Sequence, residues 1–235
     1  MGYVPLDEVR KTLRVRWYRV PVARERLLEL SKCNDAQGWF QAGGHFVLFL
    51  LTGALTWVLW SEQMWVLFAF SLFAHGTVAS FFGGTCGHEL GHGTVFRTKW
   101  LNKFFLYLFS LFSWHDPFEF NSSHTYHHRY TLHPEGDREV LLPLEPSIVS
   151  PFMWQLFTID LFSKPGRITV GKGGLLSTVA ITFLRAFGIL GSSKSPANEW
   201  IKALHADQPD QAYNWRFWAR FHLLSHGLVL TDRGD

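Results

Sequence analysis

GGHFVLFLLTGALTWVLW, residues 43–60, and MWVLFAFSLFAHGTVASFFGG, residues 64–84, are apolar runs parted only by Ser61, Glu62 and Gln63. A helix needs about twenty apolar residues, at about 1.5 Å each, to cross a bilayer. Both runs meet that length, and three intervening residues force a tight antiparallel hairpin. From Gly43 to Gly84 the sole formal charge is Glu62. Trp57, Trp60 and Trp65 gather at the tip, where amphipathic rings settle at a lipid–water interface. The fold expected is therefore all-α, because lipid-exposed irregular backbone is not tolerated.

Charge sets the orientation. Residues 1–42 hold eight Lys/Arg (Arg10, Lys11, Arg14, Arg16, Arg19, Arg24, Arg26 and Lys32) against five acids. No Lys or Arg lies at the tip, whereas Arg97, Lys99 and Lys103 follow the second run. The positive-inside rule puts both open ends of the hairpin in the cytoplasm. The net charge of +3 is mild and calls for no nucleic-acid partner. The first forty residues lack a signal-peptide apolar core, so insertion is expected to use the first spanning run. Cys33 and Cys86 are too few and too far apart for a disulfide framework or a CxxC knuckle, and read as free thiols in a reducing compartment.

Outward from the hairpin the pattern changes. Residues 1–42 form a cytoplasmic or surface-lying segment, with a helix over Arg24–Leu30. Residues 43–235 form a membrane domain. Phe104–Trp114 is too short to span and fits a re-entrant or interfacial helix. Residues 115–140 are polar, with a turn at His133-Pro-Glu-Gly-Asp137. Met153–Phe162 and Leu175–Leu190 are interrupted by Asp160 and Arg185 and read as surface-lying helices, since a lone mid-bilayer charge is costly. Residues 192–214 are polar. A last apolar run, 215–230, reads as a third spanning helix that begins an incomplete second hairpin.

Seven of the twelve histidines lie between His88 and His133. Five form two clusters, His88-Glu-Leu-Gly-His92 and His124-Thr-Tyr-His127-His128. On a helix, residues i and i+4, or i and i+3, share one face. Imidazole is a common ligand that suits iron, zinc and copper. Five nitrogens exceed the needs of one open tetrahedral zinc and fall short of two fully ligated ions.

These two clusters, after an apolar hairpin and on its cytoplasmic side, resemble the HxxxH and HxxHH boxes of the histidine-box membrane desaturase and hydroxylase family. The resemblance runs from Gly43 to about Val140. It implies that His88, His92, His124, His127 and His128 are ligands of a di-iron centre. It also implies O₂-dependent attack on an unactivated C–H bond of an acyl chain, with electrons from a ferredoxin or a cytochrome b5-type protein. The reading favoured is an acyl-lipid desaturase, although the boxes do not separate desaturation from hydroxylation. The family carries a third box after a second hairpin. This chain ends within what would be that hairpin's first helix, so the expectation is a fragment or truncated product. His222 and His226 are also i, i+4, but lie inside an apolar run, and are expected to hydrogen-bond within the core rather than replace the third box.

Two other readings fit the same letters. His88-Glu-Leu-Gly-His92 is also HExxH, the zinc-peptidase motif in which the glutamate is general base. Thr98 stands where a metzincin needs a third histidine. A truncated chain could also be a non-catalytic membrane component. Among lesser candidates near His115 and His133, Asp116, Glu119 or Asp137 could orient a ligand imidazole. His75 is expected to hydrogen-bond a neighbouring helix, and Cys86 to pack as a small apolar group. Gly83, Gly84, Gly87, Gly91 and Gly93 allow close approach near the first box but weaken its helix. Phe104–Phe112 and Phe118-Glu-Phe120 are candidate lining for an acyl tunnel.

Overall fold

The computed structural model describes residues 4–18, 20–137, 175–188 and 199–231, and every long regular element among them is helical. Two compact units divide the chain: residues 18–117, and residues 1–17 with 118–235. The expected helix over Met153–Phe162 lies outside the described residues.

In the first unit, α1 of that unit (Arg24–Leu30) precedes a long helix, α2 (Asp35–Ser61), that starts eight residues before the apolar run. The reason is local. Asn34 accepts the Ala36 N–H at 2.9 Å and so caps the new N-terminus. A π-helical turn, Trp39–Gly43, lies inside α2. Gly38, just before it, lies against the Phe96 ring so closely that a Cβ there would come within 2.5 Å of Cδ1. After Ser61 the chain reverses through Gln63, in the left-handed region at φ 56°. α3 (Trp65–Phe81) then runs back alongside α2. Trp60 and Trp65 meet edge to face at 5.1 Å at the tip.

Asp35–Ser61 is the one described helix both long and apolar enough to cross a membrane, with a mean hydropathy of 1.7 in its best window. A core helix of a soluble protein passes the same test but is mostly buried. Here only 11% of the window is buried, and Leu51, Leu55, Trp57, Val66, Phe70 and Phe73 stand exposed. The hairpin's apolar surface is therefore turned outward from its own unit.

Polar groups tie the two helices together. Thr52 Oγ1 lies 2.9 Å from His75 Nδ1, as expected for a histidine bonding a neighbouring helix. A second such contact had no sequence signal. At the end of α3 the Phe82 N–H bonds Ala79 O, and the Val78 carbonyl accepts from His45 Nε2 at 3.0 Å. A second π turn, Phe82–Cys86, follows and leads into α4 (Gly87–His92). π turns recur at functional sites, and this one adjoins the first histidine cluster.

α5 (Lys99–Phe112) begins five residues ahead of the expected Phe104. Its buried side, Leu101, Phe105, Leu106 and Phe109, packs on Phe82, Leu90 and Phe96. Phe82 and Phe109 stack at 4.4 Å, and Phe96 and Phe105 at 5.2 Å. Trp100 and Phe104 are exposed on the other side, which suits an interfacial helix.

In the second unit, α6 (Leu6–Thr12) sets Leu6 and Val9 against Tyr126 and Tyr130 of α7 (Pro117–Tyr130) and against Trp200 and Leu204 of α9 (Glu199–Asp207). α9 falls in the segment expected to be merely polar. α8 (Leu175–Ala186) packs on α10 (Ala212–Thr231), and Arg220 Nε donates to Ala186 O at 2.8 Å. The arginine that argued for a surface-lying helix is buried instead: Arg185 forms an ion pair with Glu119. A buried charge is tolerated when paired. α10 begins three residues before the expected start at residue 215, carries Arg216 and Arg220, and does not reach the apolarity of a crossing helix. Trp215, Trp218 and Ala219 are buried in the unit, and Trp215 stacks on His205 at 4.0 Å. Burial foremost, with the Arg185 charge adding, lowers the His205 pKa to about 4.

Candidate metal centre

The first cluster sits on α4, a helix of six residues. His88 and His92 are i, i+4, and their rings meet edge to face with centroids 4.6 Å apart. Each contributes a ring nitrogen within 4.8 Å of the other's. Glu89 Oε1 accepts from His88 Nδ1 at 2.8 Å, and Glu89 Oε2 lies 3.3 Å from the Thr94 hydroxyl. That bond leaves His88 Nε2 as the basic nitrogen. The helix ends because Gly93 adopts φ 69°, the left-handed cap a glycine supplies at no steric cost. The following loop is pinned twice. Asn102 Oδ1 accepts the Phe96 N–H at 3.0 Å while its amide donates to Phe96 O at 2.8 Å. Asp35 accepts the Thr98 N–H and hydroxyl at 2.9 and 2.7 Å, which holds its carboxyl below the ordinary value. Both cysteines are free thiols, as expected. Burial raises the Cys86 pKa, consistent with an inert packing group.

Beside this helix lies a cavity of about 260 Å³, lined by Gln41, Ala42, His45, Cys86, Glu89 and Phe109 among others. Residues of both π turns contribute to its wall. Of the residues expected to line an acyl tunnel, Phe109 is on it.

The second cluster lies on α7. His124, His127 and His128 share one helical face. Tyr126, Tyr130, Ser123 and Glu119 share the opposite one, and all four are buried. His124 Nε2 and His128 Nε2 are 2.9 Å apart. The two nitrogens are close enough for both to reach one ion once neither carries the shared proton. His127 Nδ1 donates to Asp137 Oδ2 at 3.0 Å. The same oxygen accepts the Leu132 N–H at 3.1 Å, and Asp137 is fully buried. Of the three carboxylates suggested as imidazole orienters, Asp137 meets a box histidine, and Glu119 meets Arg185. Asp116 is buried.

The support behind this helix was not foreseen. Tyr126 donates to Asp207 Oδ2 at 2.6 Å, and Arg10 Nη1 reaches both Tyr126 Oη at 2.7 Å and Asp207 at 2.8 Å. Burial and the adjacent Asp207 push the Tyr126 phenol above its ordinary pKa. Trp200 Nε1 donates to Ser123 Oγ at 2.9 Å. The signal available was the i, i+4 pair of tyrosines opposite the histidines.

His222 and His226 stack at 4.6 Å, and His226 Nδ1 donates to the His222 carbonyl at 2.9 Å, one turn back on the same helix. His133 Nδ1 donates to Thr131 O at 3.0 Å, and its ring meets Trp17 edge to face.

The chemistry of these donors is soft enough for a transition metal and suits neither calcium nor magnesium. Comparison with known proteins gives the class. Residues 63–231, which include both clusters, match the family described as Fatty acid desaturase. The chain belongs to that family, whose members are metal-dependent. It is also 36% identical over 81 residues to Delta-9 acyl-lipid desaturase 1 of Arabidopsis thaliana. That alignment covers 34% of this chain and 26% of the relative, so the chain spans about a quarter of the length of the curated protein it matches. No solved structure matches the chain. The family match does not favour the zinc-peptidase or the non-catalytic reading.

Proposed function

We propose that this chain contributes to an acyl-lipid desaturase, with His88, His92, His124, His127 and His128 as ligands of a di-iron centre. The observation that carries the reading is the doubled motif. HxxxH and HxxHH each set two ring nitrogens within ligating reach, in a chain of the desaturase family. Such a centre supplies O₂ activation, so that an acyl –CH₂–CH₂– unit, O₂, two electrons and two protons become –CH=CH– and two waters. The chain's own residues do the positioning. Glu89 and Asp137 hold the Nδ1 protons of His88 and His127, and so turn each Nε2 lone pair outward. The largely apolar cavity beside Glu89 offers room for part of an acyl chain.

The setting proposed is a bilayer. α2 and α3 cross it as a hairpin with the 61–63 turn on the far side, and both histidine helices face the cytoplasm. The exposure of the hairpin's Leu, Phe and Trp side chains supports this, because so large an apolar surface does not remain in water. The remaining partners are O₂, a lipid acyl substrate and an electron donor of the ferredoxin or cytochrome b5 type.

The test is direct. The chain is reconstituted with iron in saturated lipid, given a reduced donor and air, and its fatty acids are analysed. O₂-dependent appearance of a monounsaturated chain is expected. Peptide hydrolysis by the zinc-loaded chain, with no acyl conversion, would contradict the proposal.

A further inference from the structure

The arm ahead of the hairpin has a composition and an exposure that the metal centre does not use. Every residue from Val20 to Lys32 is exposed. That stretch includes Arg24–Leu30, a seven-residue helix with no buried residue and no side-chain cap. Helices this short do not hold themselves together in water. Helical spacing puts Leu27, Leu28 and Leu30 on one side, with Glu25, Arg26 and Glu29 on the other. Arg26 and Glu29 pair at 2.6 Å on that polar side. Three exposed leucines with Val20 and Val22 form an apolar surface that the unit itself leaves uncovered.

Charge and position select what covers it. Residues 14–32 carry Arg14, Arg16, Arg19, Arg24, Arg26 and Lys32 against Glu25 and Glu29. Clustered cations interleaved with apolar groups beside a membrane segment match the inner-leaflet pattern that attracts anionic lipid. The arm's departure point is fixed, because the Cys33 thiol bonds Thr94 O at 3.0 Å and Asp35 holds Thr98. Leu30 lies five residues before Asp35, so at most about 18 Å of chain separates the leucines from the hairpin's first turn.

We propose that residues 20–32 lie on an anionic lipid surface with their leucines inserted, drawn there by the net positive charge of the 14–32 stretch of sequence. This rests on the bilayer reading of the hairpin. The arm then acts as a charge-dependent tether that sets the height of the first histidine helix, through Cys33–Thr94 and Asp35–Thr98, relative to the headgroups.

The full chain is reconstituted into discs of phosphatidylcholine, with or without phosphatidylserine, and tryptic cleavage after Arg24, Arg26 and Lys32 is timed. Cleavage at least about tenfold slower in the anionic discs is expected at about 0.1 M salt, with recovery at about 1 M salt, where screening is short-ranged. Arg14→Gln/Arg16→Gln/Arg19→Gln, which keeps the cleavage sites, and Leu27→Gln/Leu28→Gln should each abolish the protection. Equal cleavage in both lipids, with the chain still incorporated, overturns the tether and leaves the hairpin reading standing. Failure to incorporate into either disc overturns both.

Discussion

The two histidine clusters are held in place with opposite amounts of protein behind them. His88 and Glu89 are 39% and 51% exposed, and their helix is one and a half turns long, held by a glycine cap and two loop pins. On α7, His124 is 7% exposed, His127 leans on a fully buried Asp137, and the helix's far face is bonded to α6 and α9 through Tyr126. The first cluster is placed by backbone turns and the second by a buried polar network. Buried networks are costly to break at any member, so the second cluster should be the more sensitive to substitutions that leave its histidines intact.

The largest effect should come from Asp137→Asn. The amide keeps an acceptor for Leu132 N–H but loses the charge that orients His127. A loss of about 10–100-fold in metal affinity or activity is expected, read by iron titration. An unchanged affinity would break the contrast between the clusters.

Tyr126→Phe should follow. It removes the hydroxyl shared by Arg10 and Asp207. A buried hydrogen bond to charged partners contributes about 1.5–3 kcal/mol, measurable by denaturation in detergent. A stability equal to the parent's would place the network outside the fold's support.

Acid should weaken the second unit through His205. Its pKa is about 4 when folded, against 6.5 as the ordinary value. As pH falls below about 6.5 the unfolded chain takes up a proton that the folded chain refuses, so stability falls until about pH 4 and then levels. His205→Gln should flatten this part of the stability–pH curve, and a curve unaltered by the substitution would count against it.

Glu89→Gln should do least. The amide still offers His88 an acceptor, and the site is half exposed, so activity should stay within about tenfold. Abolished activity with metal retained would instead mark Glu89 as a general base and revive the peptidase reading.

Much of this was legible in the sequence. Apolar length marked both hairpin helices, and i, i+4 spacing set each histidine pair on one helical face. His75 bonding across to Thr52 followed from a lone histidine in an apolar helix. What escaped depends on distant partners. Arg185 argued against burial only until Glu119, 66 residues earlier, was found beside it. Arg10 reaches Tyr126 across 116 positions. The start of α2 at Asp35 escaped because hydropathy registers the apolar run, whereas the helix begins at its cap, Asn34. The π turns carry no periodic signal at all.

The most direct test of the central claim is iron bound per purified chain, measured for the parent, for His88→Ala/His92→Ala and for His124→Ala/His128→Ala. Joint ligation by both clusters predicts that either double substitution strips most of the iron. A full metal complement surviving the loss of one pair, or a single zinc indifferent to the second cluster, would contradict it.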